Sequence, residues 1–217
     1  MADGTMTNGL LIRHGLTDWV GERLAGWMPG IHLNEQGRTQ AAALARRLAE
    51  VPLSAIYSSP LERTLETAQP IADSHGLAIR VREGLGETRF GEWTGRALKE
   101  LKDEKLWPVV QVYPGGARFP GGEAIREVQA RLVAELDGIR DAHPGQIVAV
   151  VSHSDPIKMV VAHYAGLALD LYQRLSISPA SVTVLGFTPF GPRLLCLNYV
   201  DPLPVLKMEK APDHEEQ

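Results

Sequence analysis

The sequence predicts an α/β fold in three layers, with helices on both faces of a mostly parallel central sheet that ends in an antiparallel edge strand. Three observations carry that expectation. Short apolar runs at residues 10–12, 55–57 and 147–151 read as strands buried on both faces. Between them, apolar residues recur every three or four positions, as in Ile125, Val128, Leu132, Leu136 and Ile139, which is the signature of an amphipathic helix. Alternation of the two implies right-handed crossovers and a sheet covered on both sides.

The first strand ends abruptly on Arg13, His14 and Gly15. Residues 16–37 hold no sustained period and read as a long loop, a kind usually kept for function. Asn34 reads as a helix N-cap, and Ala41, Leu44, Ala45 and Leu48 form an apolar stripe that stops before Pro52. After the strand at 55–58, Ser59 as N-cap, Pro60 at the first helical position and Glu62 in a capping box announce a second helix. Leu61, Leu65, Ala68 and Ala72 make its buried face, which puts Arg63 in its first turn, beside a strand end. Residues 79–81 form a third short strand. Residues 84–95 interleave four glycines with Glu87, Arg89 and two aromatics, a shaped irregular loop.

Residues 96–122 read as a lid-like insertion, with a helical piece over 97–112 and a turn-rich patch after it. A long helix over 123–142 is stopped by Pro144 and Gly145. The run at 146–152 is the strongest strand and ends at His153, after which Asp155 and Pro156 open a helix that buries Ile157, Val160, Val161 and Tyr164. Strands at 181–187 and 193–199 form a hairpin. Residues 9–207 make one catalytic domain, with residues 1–8 and the acidic stretch 208–217 disordered.

The 217 residues, 44% hydrophobic and 22% charged, are those of an ordinary globular chain. A net charge of -4 and a pI near 6.0 leave no basic footprint, so nucleic acid is not an expected partner. No apolar run reaches membrane-spanning length and the N-terminus lacks a signal core, so neither membrane insertion nor export is expected. The single cysteine, Cys196, reads as a small core residue and fits a cytoplasmic setting. No zinc motif, phosphate-binding Gly-Lys loop or nucleophile elbow occurs, and Gly84-x-Gly86 is half of a dinucleotide fingerprint. His32, His75, His143, His163 and His214 have no metal-ligand spacing and read as surface or helix-end residues; neither metal nor cofactor is expected.

In sheets of this type ligands bind beyond the carboxyl ends of the strands, where Arg13, His14, Arg63 and His153 all fall. Singly each has a plainer reading: Arg13 and His14 as a strand cap, Arg63 as a helix-surface residue, Glu87 as a solvated acid. Together they make a cationic pocket whose natural guest is a phosphoryl group, because guanidinium forks match phosphate oxygens. A neutral histidine there can attack phosphorus, the remaining cations stabilise the equatorial oxygens, and Glu87, raised by burial, can supply and then remove a proton.

The motifs Arg13-His14-Gly15-x-Thr17, Ser59-Pro60-Leu61-x-Arg63 with Thr67-Ala68, Leu85-x-Glu87-x-x-x-Gly91-x-Trp93-x-Gly95, Pro120-Gly121-Gly122-Glu123 and Ser152-His153 resemble, in that order, the histidine phosphatase superfamily, which contains the cofactor-dependent phosphoglycerate mutases. The resemblance implies a phosphoglycerate mutase-like fold, a phosphorylated His14, a phosphate pocket of Arg13, Arg63 and His153 with Thr17 and Ser154 as further binding residues, and Glu87 as proton donor. The chain departs from the family pattern at Val20, where an asparagine is common, and at Ser154, since the family's His-Gly pair stands here as His153-Ser154, followed by Asp155. It also lacks the Glu-Arg-Arg-Tyr segment of the glycolytic mutases, and its insertion is shorter. The expectation is a metal-independent phosphatase acting on a small phosphorylated metabolite, with a phosphomutase or a non-catalytic phospholigand-binding protein as alternatives and free phosphate as a further ligand. Specificity is expected from the loop at 16–37 and the insertion at 96–122, with Trp27, Arg89, Lys99, Lys102, Trp107, Tyr113 and Arg118 as candidates to meet the rest of the substrate. A homodimer is left open.

Overall fold

The computed structural model describes residues 6–200, and its elements alternate as the periodicity predicts. In chain order they are β1 (Thr7–Arg13), α1 (Glu35–Leu48), β2 (Leu53–Ser58), α2 (Glu62–His75), β3 (Ile79–Val81), the short helices α3 (Leu98–Leu101) and α4 (Trp107–Val112), α5 (Ile125–Ala142), β4 (Ile147–Ser152), α6 (Ser154–Tyr164), β5 (Val182–Thr188) and β6 (Gly191–Tyr199). The six strands form one sheet in the order β3-β2-β4-β1-β5-β6. Successive side chains leave a strand on opposite faces, and the core divides accordingly. Leu11, Tyr57, Val148 and Val150 meet α5 and α6 on one side, and Leu10, Ile12, Ile56, Ala149 and Val151 meet α1 and α2 on the other.

β1, β2, β3 and β4 run parallel, so the carboxyl ends of β1, β2 and β4 come together at one edge of the sheet. The antiparallel strand is not at the edge. β5 pairs antiparallel with both β1 and β6, which returns β6, the edge strand on that side, to the common direction. The chain before β5 is tied to the carboxyl end of β1, through Arg13 N to Ser181 O at 3.2 Å and Ala180 N to Arg13 O at 3.1 Å, so β5 can only run back along β1.

Other boundaries also shift for physical reasons. β1 begins inside the stretch 1–8 expected to be disordered, because Asn8 N donates to Gln146 O and the Thr7 hydroxyl to His143 O, both at 2.9 Å. Residues 1–5 and the expected tail at 208–217 lie outside the described residues. α2 starts at Glu62, with Leu61 and not Ser59 in the cap position. The Ser59 hydroxyl is instead 2.9 Å from His153 Nε2. Leu65 is half-buried, and Thr64, Thr67 and Ile71 join Ala68 and Ala72 on the buried face. α5 starts at Ile125, where Glu127 accepts from Ala124 N at 3.0 Å, and buries the five residues its spacing predicts. The helical piece expected over 97–112 breaks into α3 and α4, with Pro108 in the first turn of α4. Cys196 is half-buried, because β6 is an edge strand. His143 is a buried helix-end residue, 3.0 Å from the Tyr57 hydroxyl. Among the described residues no helix is long and apolar enough to cross a membrane.

The loop after β1 leaves through a backbone crossing that only glycine permits. A Cβ on Gly37 would stand 2.1 Å from Leu16 O, and one on Gly15 would stand 2.7 Å from Gly37 O. The crossing presses the start of α1 against the end of β1 and fixes where His14 emerges.

Candidate active site

Three strand ends supply the centre of the site. His14 follows β1, Ser59 follows β2, and His153 follows β4 at the N-cap position of α6. The His14 and His153 rings meet edge to face with centroids 5.2 Å apart. His14 Nδ1 lies 2.7 Å from Gly15 O, and since a carbonyl only accepts, Nδ1 carries the hydrogen and Nε2 keeps its lone pair. Gly15 N in turn donates to the Thr67 hydroxyl at 3.0 Å, which donates to Arg63 O at 2.7 Å, linking β1 to α2.

Two guanidiniums flank the histidines. Arg13 Nη1 donates to Ile177 O at 2.6 Å, and Arg63, 1% exposed, donates through Nη2 to Gly26 O at 2.8 Å. Each bond aims one edge of the fork and leaves another nitrogen over: Arg13 Nε and Arg63 Nη1 have no partner among the described residues, nor does His153 Nδ1. A buried polar group without a partner costs about 1–3 kcal/mol, and the two unpartnered guanidinium nitrogens, which can only donate, mark a place built for an anion. Glu87 completes the ring, with Oε2 3.9 Å from His153 Nδ1 and Oε1 accepting from Thr88 N at 2.9 Å.

The charges follow from burial. Desolvation, reinforced by Arg63 and Arg13, holds His14 well below the usual imidazole range, and His153 is lowered by the same causes with His14 added. Both are neutral at pH 7, the nucleophilic form of His14. Desolvation and the Asp155 carboxylate raise Glu87 to about 7 against the opposing pull of Arg63 and Arg13. A carboxyl there can hold or release a proton near neutrality.

Arg13, His14, Thr17, Arg63, Glu87 and Ser154 line one cleft of about 220 Å³, with His153 wholly buried against His14. All seven expected site residues are thus brought together. The expected substrate-contacting residues are not: among Trp27, Arg89, Lys99, Lys102, Trp107, Tyr113 and Arg118, none lines the cleft. Trp27 Nε1 donates to Glu87 O at 2.5 Å, and the Arg89 guanidinium lies 3.8 Å over the Trp27 ring. Trp107 stacks on Trp93, and Arg118 pairs with Glu127. The outer wall comes instead from Trp19, Val20, Arg23, Leu24, Phe90 and Leu98, with Asp155 opposite in sign to the pocket.

Arg131 is the residue that sequence reading missed. It stands on α5, pairs with Glu123 at 3.0 Å, and donates to Gly84 O at 2.7 Å, Gly86 O at 3.1 Å and Glu87 O at 3.3 Å. On a helical wheel it is one polar residue among many; only Glu123, in the Pro-Gly-Gly-Glu motif, hinted at a partner.

Comparison with known proteins gives the family and the fold. The family model for the histidine phosphatase superfamily, branch 1, matches residues 10–200. The chain is 32% identical over 187 residues to phosphoserine phosphatase 1 of Hydrogenobacter thermophilus, covering 83% of this chain and 86% of that protein. It is 32% identical over 176 residues to a protein of Cronobacter sakazakii described as a probable phosphoglycerate mutase, covering 80% and 81%. The structure of mycobacterial glucosyl-3-phosphoglycerate phosphatase superposes with a TM-score of 0.80 at 27% identity, over 89% of this chain and 99% of that one.

Proposed function

We propose, for a chain that belongs to the histidine phosphatase superfamily and is a phosphoryl-transfer enzyme of that type, metal-independent hydrolysis of the phosphomonoester of a small metabolite through a phosphohistidine at His14. The observation that carries this reading is the state of His14: a neutral imidazole whose Nδ1 is spent on Gly15 O, leaving Nε2 to react beside the unpartnered guanidinium donors of Arg13 and Arg63.

In the first step Nε2 attacks phosphorus, the P–O ester bond breaks, and the leaving alkoxide takes the proton of Glu87. Arg13, Arg63 and His153 hold the equatorial oxygens, where negative charge concentrates in the transition state. In the second step the Glu87 carboxylate takes a proton from water as its oxygen attacks phosphorus. The P–N bond breaks, inorganic phosphate leaves, and both residues return to their starting states. A cleft of about 220 Å³ is below the ~300–1,000 Å³ of drug-sized pockets, which favours a small organic remainder. A small phosphorylated metabolite as partner and a cytoplasmic setting belong to the same proposal.

The second reading is a phosphomutase, favoured by the relative described as a phosphoglycerate mutase. It differs only in the second acceptor, a substrate hydroxyl in place of water. Turnover of 4-nitrophenyl phosphate in EDTA tests the first reading. The wild type is expected to release phosphate undiminished by the chelator, and His14→Ala to lose at least about 10³-fold in kcat/KM. Chelator-sensitive activity, or an active His14→Ala variant, overturns it. Isomerisation of a phosphoester without phosphate release supports the mutase.

A further inference from the structure

Beyond the phosphoryl site the cleft changes character. Trp19, Val20, Leu24, Phe90 and Leu98 present apolar surface, and the charges that remain are Arg23 and Asp155. Arg23 is exposed, with Nη1 committed to Gly95 O at 2.9 Å. Asp155 is held more firmly. It lies in the first turn of α6, its side chain 25% exposed, with Oδ1 3.3 Å from Lys158 Nζ, and Lys158 is itself 3.3 Å from Gln173 Oε1. Lys158 does not line the cleft, so the member of this pair that a substrate meets is the acid.

The cations inside the cleft are already assigned. A phosphomonoester carries close to two negative charges near neutral pH, and Arg13 and Arg63 are the two buried cations that meet them, since both histidines are neutral. A substrate with a second anionic group would leave that group on an apolar wall facing the Asp155 carboxylate. Burying an unpaired charge beside a like charge is unfavourable on both counts, and Arg23, exposed at the cleft mouth with its guanidinium 5.8 Å from the Trp19 ring centroid and Nη1 already on Gly95 O, is screened by solvent and partly committed.

We propose that Asp155 is a specificity-determining charge filter: the cleft selects phosphomonoesters whose organic remainder bears no second negative charge and rejects phosphorylated carboxylic acids. The inference rests on the phosphatase reading above and narrows it to a substrate class. Asp155 also helps burial to raise Glu87 and acts on Arg13, so a neutral variant changes the proton donor as well. The quantity to read is therefore a ratio between two substrates, in which that shared change in phosphoryl transfer cancels.

Glycerol 3-phosphate and 3-phosphoglycerate share a carbon skeleton and differ by a terminal hydroxymethyl against a carboxylate. Wild type is expected to favour the first by at least about tenfold in kcat/KM. Asp155→Asn is expected to shrink that ratio by about tenfold, through a gain on the carboxylate substrate, whereas Asp155→Glu retains it. Asp155→Ser serves as the second neutral variant if the Asn variant does not fold. A wild type that prefers 3-phosphoglycerate, or a ratio unmoved in the neutral variants while 4-nitrophenyl phosphate is still hydrolysed, rejects the filter and leaves the phosphatase reading standing. A wild type inactive on all three esters rejects both.

Discussion

Glu87 holds its proton to about pH 7 because burial and Asp155 oppose its ionisation more strongly than Arg63, the Thr88 amide and Arg13 favour it. In the proposed first step it must be protonated, so kcat/KM is expected to fall about tenfold per unit above pH 7. His14 stays neutral well below 6.5 and sets no limit in that range. The same shift has a stability consequence of definite sign. From the ordinary 4.5 up to about 7 the unfolded chain loses its carboxyl proton while the native state keeps it, so this residue's contribution to stability declines as pH rises through that window. Glu87→Gln removes the penalty: it is expected to be more stable than wild type by on the order of 2–3 kcal/mol at pH 8 and little different at pH 4. Its activity is expected to drop about 10²–10⁴-fold. Denaturation at the two pH values, beside a pH-rate profile, checks both expectations. A Glu87→Gln variant no more stable at pH 8 would contradict the buried-acid account.

At the scale of elements, the proton donor is placed by a helix far from it in sequence. Arg131 of α5 gathers the carbonyls of Gly84, Gly86 and Glu87 and is itself squared up by Glu123. A lysine cannot reproduce that fork. Arg131→Lys is therefore expected to lower kcat about 10- to 100-fold through a displaced donor, while competitive inhibition by inorganic phosphate, which depends on Arg13 and Arg63, stays unchanged. Loss of phosphate affinity in step with kcat would instead indicate general collapse of the site. The contrast shows what a sequence discloses. The buried face of α5 could be named residue by residue because apolar periodicity is local, whereas a polar residue's partner is set by tertiary contact. Ser59 illustrates the same limit: its local chemistry reads as a cap, and its hydroxyl is used by His153 across the sheet.

Across the whole molecule, β1, β2 and β4 end at one place, and that convergence was legible from their apolar runs and from the residues that follow each. His14, Arg63, Glu87 and His153 could be grouped because they lie just past predicted strand ends or in a glycine-rich loop. Of the outer wall only the segments could be named: Trp19, Arg23 and Leu24 stand on the long loop after β1 and Leu98 on the insertion at 96–122, but which residues face the cleft is set by a path no periodicity describes. The direction of β5 escaped for a related reason, being dictated by the hydrogen bonds of Ser181 and Ala180 to β1. What the fold as a whole accomplishes is to hold a neutral imidazole among buried cations, and the most direct test is to trap its covalent product. Rapid quenching of the enzyme with a phosphomonoester in EDTA, followed by peptide mapping, is expected to find the phosphoryl group on His14, formed at least as fast as turnover. No adduct, or an adduct on another residue, would contradict the account.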